Sequence, residues 1–364
     1  MTAQKTTVAV PTDAFKNKLR QFAALGARTV TLTPEEGRLL LRAARDQDLE
    51  TAILADSAAG AELTLPLELL AATVRSVKSD EIELNFADKQ LELQAGSFEA
   101  TLVAYEQDPL EMVLEGDPLA ALPADRLRRA LLATNQTDSA FTLGAFAGLQ
   151  LEFYPKRLRV AGSDGYRLAI CEIEGARVDQ PEREPVLLPR QHLNAINALL
   201  EEAGEAEVTL ALAGNRLVLH TPAARYSAPL YEGRYPDYER VIPAETPNVL
   251  TVATKPLKQA LKRLAALTDN PNKPVHLHLE EGAPLHLETE SDYASGAENL
   301  HEDAGYQGEP LKLAVNASYL LAALEPVGET ARFAFQQNSQ QSPFTLNDAG
   351  DPEGYLAVLV PLRV

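Results

Sequence analysis

Cysteine occurs once in this chain, at Cys171. A single thiol excludes an intramolecular disulfide framework and fits a reducing compartment, so a cytoplasmic location is expected. Apolar residues make up 45% of the sequence, ample for globular cores. Yet no run of eighteen apolar residues occurs, and no membrane span is expected. The opening Met1-Thr-Ala-Gln-Lys-Thr-Thr7 lacks the apolar stretch of a leader, so no secretory signal is expected. Catalytic signatures are missing too: there is no G-x-x-x-x-G-K-S/T, no G-x-G-x-x-G and no G-x-S-x-G. Positive charge is in short supply, with 33 Lys and Arg against 52 Asp and Glu, a net charge of −19. Taken as a whole-chain average, that balance argues against a nucleic-acid partner.

What the chain has is repetition. Pro11-Thr-Asp-Ala-Phe15-Lys-Asn-Lys-Leu19, Pro123-Ala-Asp-Arg-Leu127-Arg-Arg-Ala-Leu131 and Ala253-Thr-Lys-Pro-Leu257-Lys-Gln-Ala-Leu261 share one short amphipathic helix pattern, with an apolar pair four residues apart. A second set reads Leu65-Pro66-Leu-Glu-Leu-Leu70, Leu188-Pro189-Arg-Gln-His-Leu193 and Val315-Asn316-Ala-Ser-Tyr-Leu320. Proline is expected at the first helical position in several of these, where its fixed φ suits the helix and its missing donor costs nothing. Three large repeats with two helices each point to a ring, array or solenoid, in which overall shape matters more than one catalytic pocket.

Between the helices the apolar period changes to two. Leu149, Leu151 and Phe153 alternate, then Leu158 and Val160, then Leu168 and Ile170. Ile82, Leu84 and Phe86 precede Leu91 and Leu93; Val208, Leu210 and Leu212 precede Leu217 and Leu219; Val275, Leu277 and Leu279 precede Leu285 and Leu287. Turn residues such as Ala213-Gly214-Asn215 and Glu281-Gly282-Ala283 separate them. These are antiparallel hairpins with one buried face. The fold class is α+β, with helices segregated to one face of the sheets. Proline-rich acidic stretches at 107–119 and 233–247 suggest domains at 1–120, 121–246 and 247–364.

The scarce cations are not scattered. Lys16 and Arg20 lie four apart on the first helix, opposite Phe15, Leu19 and Phe22. Arg126 and Arg129 lie three apart on the equivalent second-repeat helix, and Lys255, Lys258 and Lys262 share a face of the third. Arg75 and Arg190 belong to the other helix set, and these helices carry few acids. Surface helices favour Lys and Arg in general, but the same asymmetry in three repeats favours a common basic surface. Arg20, Arg75, Arg126, Arg129, Arg190, Lys258 and Lys262 are therefore assigned to sequence-independent contact with phosphates.

Two other residue groups have simpler readings. His276 and His278 share a strand face and His286 follows on the next strand, but they alternate with Val275, Leu277 and Leu279 and no cysteine accompanies them. They are read as the solvent face of a hairpin, with no metal expected. Asp164 and Asp237 stand in turn-like contexts, where Asp bonds its own backbone.

Three segments go beyond the repeat: Ser163-Asp164-Gly165-Tyr166-Arg167-Leu168-Ala169, then Tyr231-Glu-Gly233-Arg234-Tyr235-Pro236-Asp237-Tyr238-Glu-Arg240-Val241-Ile-Pro243, then the terminal Val358-Leu-Val360-Pro361-Leu362-Arg363-Val364. Together they resemble the bacterial sliding clamp family, the beta subunits of the DNA polymerase III holoenzyme. Its patterns are T-D-G-H-R-L-A, D-G-R-F-P-D-Y-x-R-V-x-P and a terminal M-P-M-R-L. The likeness covers the whole chain in length, repeat number and motif order. Departures are mild: Ser163 for Thr, Tyr166 for His, and Val360, Leu362 and Val364 at the terminal apolar positions.

The resemblance implies three similar clamp domains per subunit and a head-to-tail homodimer closing as a six-domain ring around duplex DNA, without catalytic activity or cofactor. It resolves the charge conflict, since acidic outer sheets repel DNA while basic helices line the hole. It adds Arg28 to the DNA-facing set and places Leu267 of one subunit against the region of Leu110 of the other. It also implies a groove for short partner motifs. Phe146, Leu168, Val241, Val358, Val360, Pro361 and Leu362 would form apolar walls, and Ser163, Gly165, Tyr166, Arg167, Pro236, Arg240 and Arg363 the rim. The implied partners are the DNA polymerase III catalytic subunit, the clamp loader, and repair polymerases and other proteins with clamp-binding motifs, on the nucleoid and not at a membrane. Two other classes stay open from residues alone: a hydrolase using Asp164 and a histidine, and an interaction scaffold without a nucleic-acid role.

Overall fold

A computed structural model describes residues 6–106, 108–137, 144–181, 183–301, 304–337 and 342–363. Among them are six α-helices: α1 (Thr12–Ala24), α2 (Leu67–Ser76), α3 (Ala124–Asn135), α4 (Leu193–Ala203), α5 (Thr254–Ala265) and α6 (Ala317–Leu324). All are short, and all fall where the apolar spacing of the two repeated patterns places them. Phe15, Leu19 and Phe22 of α1 and Leu257, Leu261 and Leu264 of α5 are buried, as a single apolar stripe requires.

The helix starts differ from expectation in one respect. Pro11 and Pro66 are caps that close the preceding strand, one residue before the helix, rather than its first helical residue. Their φ of −59° and −61° with extended ψ serves a strand end as well as a helix start. After Pro189 the chain makes a 3-10 turn, Arg190–His192, before α4 begins. At α6 a side chain caps the helix, where Asn316 Oδ1 accepts from the backbone N–H of Ser318 at 3.0 Å and Tyr319 at 3.1 Å.

Each apolar alternation in the sequence is a strand, with its partner strand antiparallel. The chain folds as two compact units, residues 1–128 with 191–230 and residues 129–190 with 231–364. Each unit takes part of the second repeat, so contacts divide the chain differently from the repeats. In the first unit, Thr6–Pro11, Glu81–Ala87, Gln90–Ala95 and Phe98–Val103 form a four-stranded sheet. A larger sheet joins first-repeat to second-repeat strands through the pairing of Asp48–Leu54 with Ala224–Pro229. There Asp48, buried, accepts from Arg216 Nη2 and Ser227 Oγ, each at 3.0 Å. Lys18 of α1, also buried, donates to Glu202 of α4 at 2.6 Å.

In the second unit a nine-stranded sheet runs in the order Val186–Pro189, Gly148–Tyr154, Arg157–Ser163, Arg167–Glu174, Tyr355–Leu359, Phe344–Asp348, Thr330–Phe335, Asn248–Ala253 and Ala304–Gln307. The join between repeats is the antiparallel pair Arg167–Glu174 and Tyr355–Leu359, with Leu168 opposite Val358. A four-stranded sheet, Ser295–Leu300, Leu285–Glu290, Pro274–Leu279 and Leu311–Asn316, completes the unit. The α+β class with helices on antiparallel sheets is as expected.

Candidate partner groove and basic helix faces

The second unit brings the three recognition segments together. The pairing of Leu168 with Val358 sets the first segment against the last. Both side chains are buried in one apolar cluster with Ala161, Ile170, Leu187, Tyr235 and Tyr238, and Tyr235 and Tyr238 belong to the middle segment. Phe146 packs against this cluster, its ring meeting Tyr235 edge-on at 5.6 Å. Burial pushes the Tyr235 phenol up to about 12.

The Ser163–Arg167 turn is rigid for local reasons. Asp164 Oδ1 accepts from the backbone N–H of Tyr166 and Arg167, both at 3.0 Å, and its Oδ2 accepts from Arg167 Nε at 3.1 Å. Ser163 Oγ donates to the Arg167 carbonyl at 2.8 Å and accepts from Gly165 N–H at 3.0 Å. Gly165 has φ +87°, a region that penalises any Cβ, although a Cβ there would meet only the edge of Phe146 at 3.9 Å. Glycine is thus required by conformation and not by crowding. The Arg167 guanidinium lies 4.1 Å from the Tyr319 ring centre, so this rim arginine is also buried in place. The turn reading of Asp164 therefore holds, and its carboxylate is filled by backbone and Arg167 donors.

Around the buried floor, large apolar side chains face outward. Tyr166 is 55% exposed, Val241 50% and Val360 47%. Pro236, Arg240 and Arg363 are exposed as well, with Arg240 paired to Asp237 at 2.7 Å. Leu168 and Val358 form the floor beneath this surface rather than freely open walls. A small cavity beside Leu168 is lined also by Thr137, Arg167, Ala323, Tyr355 and Leu359. The terminal segment is held by the Leu362 N–H, which donates to the Ala314 carbonyl at 2.8 Å, and Pro361 is buried. Val364 lies outside the described residues.

Two features of this region had no sequence signal. One is a polar anchor under the middle segment. Glu152, only 7% exposed, accepts from Tyr238 Oη and from Gln150 Nε2, each at 2.5 Å. Arg159 donates to Glu172 at 2.6 Å and to Glu239 at 3.0 Å, binding the same short helix, Tyr238–Val241, from a second side. Alternation places Glu152 opposite Leu151 and Phe153, but nothing in the sequence says that a segment some eighty residues later covers that face.

The other is Arg190, which corrects an expectation. Its guanidinium donates to the Phe146 carbonyl at 3.0 Å, Asn135 Oδ1 at 2.9 Å, Thr137 Oγ1 at 2.8 Å and the Ser163 carbonyl at 3.4 Å. An arginine so committed braces the chain behind the groove and drops out of the phosphate-contact set. Lys258 is half-buried in an ion pair with Glu325 at 2.8 Å, and Lys16 donates to the Val77 carbonyl at 2.9 Å. Arg20, Arg28, Arg75, Arg126, Arg129 and Lys262 are exposed. Leu267 is 37% exposed, with its side chain over the backbone of Gly296, and Leu110 is half-buried.

Comparison with known proteins accounts for this arrangement. Family models described as DNA polymerase III beta subunit match residues 121–237 (central domain) and 239–363 (C-terminal domain), together more than half of the chain. The beta sliding clamp of Pseudomonas aeruginosa is 27% identical over 340 residues, 90% of each chain. That of Caulobacter vibrioides is 29% identical over 350 residues, 92% of this chain and 91% of its own. Among solved structures, the C. crescentus beta sliding clamp shares 25% identity with a TM-score of 0.85, covering 99% of this chain and all of that one. The P. aeruginosa clamp bound to griselimycin shares the fold at a TM-score of 0.89 and 24% identity over the same coverage. The chain belongs to the DNA polymerase III beta subunit family, the bacterial sliding clamps.

Proposed function

We propose that the chain works as a DNA sliding clamp and processivity factor through a head-to-tail homodimer that closes as a ring of six domains around duplex DNA. The three domains are 1–120, 121–246 and 247–364. Leu267 of one subunit meets the region of Leu110 of the next. A heterologous interface of this kind makes a closed object only if the rotation fits, and three equal repeats per chain suit a two-subunit closure. Topology holds the DNA, so the contacts can be weak and independent of sequence. Arg20, Arg28, Arg75, Arg126, Arg129 and Lys262, with Lys258 in part, supply them.

The observation that carries the reading is the convergence of three sequence-distant segments on one apolar floor, Leu168 with Val358 beneath Tyr235 and Tyr238. A floor of this kind, rimmed by Tyr166, Val241, Val360, Arg240 and Arg363, suits a short peptide whose apolar side chains fill pockets while polar groups fix its direction. The DNA polymerase III catalytic subunit, the clamp loader and repair polymerases compete for it. The chain has no catalysis of its own, and it acts in the cytoplasm on the nucleoid. The protein loaded on nicked circular DNA is expected to stay bound, and to be lost once that DNA is linearised. Equal retention on both forms would overturn the ring.

A further inference from the structure

We propose that His278, His286 and Glu288, on the solvent face of the second unit's four-stranded sheet, form a binding site for a zinc-class divalent cation. The site follows from register. His278 on Pro274–Leu279 stands directly opposite His286 on Leu285–Glu290. Glu288 lies two residues beyond His286 and therefore on the same face. Directly opposed residues approach within a few ångströms, so two imidazoles and a carboxylate meet without any special loop.

The distances suit one ion. The candidate ligand atoms of the three residues lie within 4.8 Å of one another. His278 Nε2 is 2.8 Å from Glu288 Oε1, and His286 Nε2 is 3.6 Å from Glu288 Oε2. Ligands about 2.0–2.2 Å from a tetrahedral zinc stand little more than 3 Å apart, so small side-chain adjustments suffice. All three side chains are half-buried, which leaves the fourth position to water.

The strongest argument is what lies behind the ligands. His286 Nδ1 is 2.7 Å from Asn299 Oδ1 on the neighbouring strand. An oxygen acceptor there makes Nδ1 the protonated nitrogen, so Nε2 carries its lone pair toward His278 and Glu288. An outer carbonyl that fixes an imidazole in this way is the usual companion of a metal-bound histidine. The imidazole pair selects ions of the zinc, cobalt and nickel class over magnesium or calcium.

Lys312 Nζ, 3.1 Å from Glu288 Oε1, is the built-in competitor. A bound cation takes over the carboxylate that Lys312 and His278 now share. The His278 ring then adopts its other tautomer, its proton carried on Nδ1 instead of Nε2, so that Nε2 offers its lone pair to the ion. Histidines that alternate along a strand without cysteine read as a solvent face and nothing more. Alternation is what aligns His278, His286 and Glu288 across the hairpin.

The test is a calorimetric titration of the chelator-treated full-length protein with zinc, paired with the visible spectrum of added cobalt. One ion per chain and a tetrahedral or five-coordinate cobalt spectrum are expected. His278→Gln combined with His286→Gln should weaken binding by far more than tenfold, and Asn299→Ala by about tenfold or more. Lys312→Met should tighten binding, which a purely structural ion-pair network would not do. His301→Gln should change nothing. All these positions face solvent, and circular dichroism of each variant guards against misfolding. Equal zinc affinity in the wild type and the double histidine variant, or a cobalt spectrum identical to the hexaaqua ion, would overturn the site.

Discussion

The phenol of Tyr238 donates a 2.5 Å hydrogen bond to Glu152, a carboxylate buried on the strand Gly148–Tyr154. This contact fastens the Tyr238–Val241 turn, and with it Arg240 and Val241, onto the sheet that carries Leu168. A groove made of segments far apart in sequence needs such a fastening, because the segment between residues 229 and 248 has no strand of its own.

Tyr238→Phe is therefore expected to cost about 1 kcal/mol of stability, the typical net value of one such bond. Glu152 keeps Gln150 as a donor, which limits the loss. Glu152→Ala, which takes away the acceptor of the Tyr238 hydroxyl and leaves it only the long bond from Arg159, should cost about 2–3 kcal/mol. Both should weaken binding of a clamp-binding peptide, measured by fluorescence anisotropy. Wild-type peptide affinity in Glu152→Ala would show that the turn is held by other contacts.

Burial of Tyr235 predicts a specific alkaline behaviour. Its folded pKa is raised to about 12, while an unfolded tyrosine titrates near 10. A raised folded value means that the stabilising contribution is complete below pH ~10 and is lost as pH climbs toward ~12. A denaturant midpoint that falls over that window in the wild type, and falls less steeply in Tyr235→Phe, is expected. The variant must first be shown to be folded at pH 8.

Much of this architecture was legible in the sequence, for identifiable reasons. Leu149, Leu151 and Phe153, or Val275, Leu277 and Leu279, read as strands because one face of an antiparallel sheet is buried, and burial is written with period two. The helices read correctly because each buries one stripe. The paired segments of the groove were legible only through family likeness, since no local pattern tells Leu168 that Val358 will lie beside it. What sequence could not separate is a bracing arginine from a surface one. Arg190 and Arg126 both stand at the start of repeated helix patterns, but Arg190 faces the carbonyls of Phe146 and Ser163 and Arg126 faces solvent. The same blindness hid Glu152, whose partner is supplied by tertiary structure.

The two arginine classes should separate in experiment. Arg126→Glu with Arg129→Glu is expected to leave melting nearly unchanged while reducing the salt slope of DNA association by about two units or more. Arg190→Ala should do the reverse, lowering stability by about 2–4 kcal/mol through loss of several internal bonds, with little change in salt slope. A salt slope that falls in Arg190→Ala without loss of stability would restore it to the DNA-facing set.

Leu267 is half-exposed at the end of α5 and covers Gly296, where an added Cβ would come within 2.4 Å of its side chain. Leu267→Asp should cost only about 1 kcal/mol within the subunit, because much of the side chain is already in water. It should convert the proposed dimer to a folded monomer, seen as halved mass in sedimentation equilibrium. A dimer that persists at micromolar concentration would remove Leu267 from the interface.

The terminal segment gives the sharpest separation between groove and core. Pro361 is buried and the Leu362 N–H bonds Ala314, so the tail is docked, but Val360 beside it is 47% exposed. Among the described residues, removing the tail from Pro361 onward deletes the Leu362–Ala314 backbone pairing and uncovers the place of the buried Pro361, a loss of about 1–2 kcal/mol. It leaves Val358 paired with Leu168, so the apolar floor survives. The truncated protein should thus remain folded and dimeric with a slightly lower melting temperature, and should lose affinity for a polymerase-derived peptide by tenfold or more, about 1.4 kcal/mol. Wild-type affinity in the truncated protein would move the groove away from the tail. Global unfolding would show instead that Pro361 and Leu362 are core, and Val360→Asp, which changes an exposed side chain only, would then decide between the two roles by peptide binding at unchanged stability.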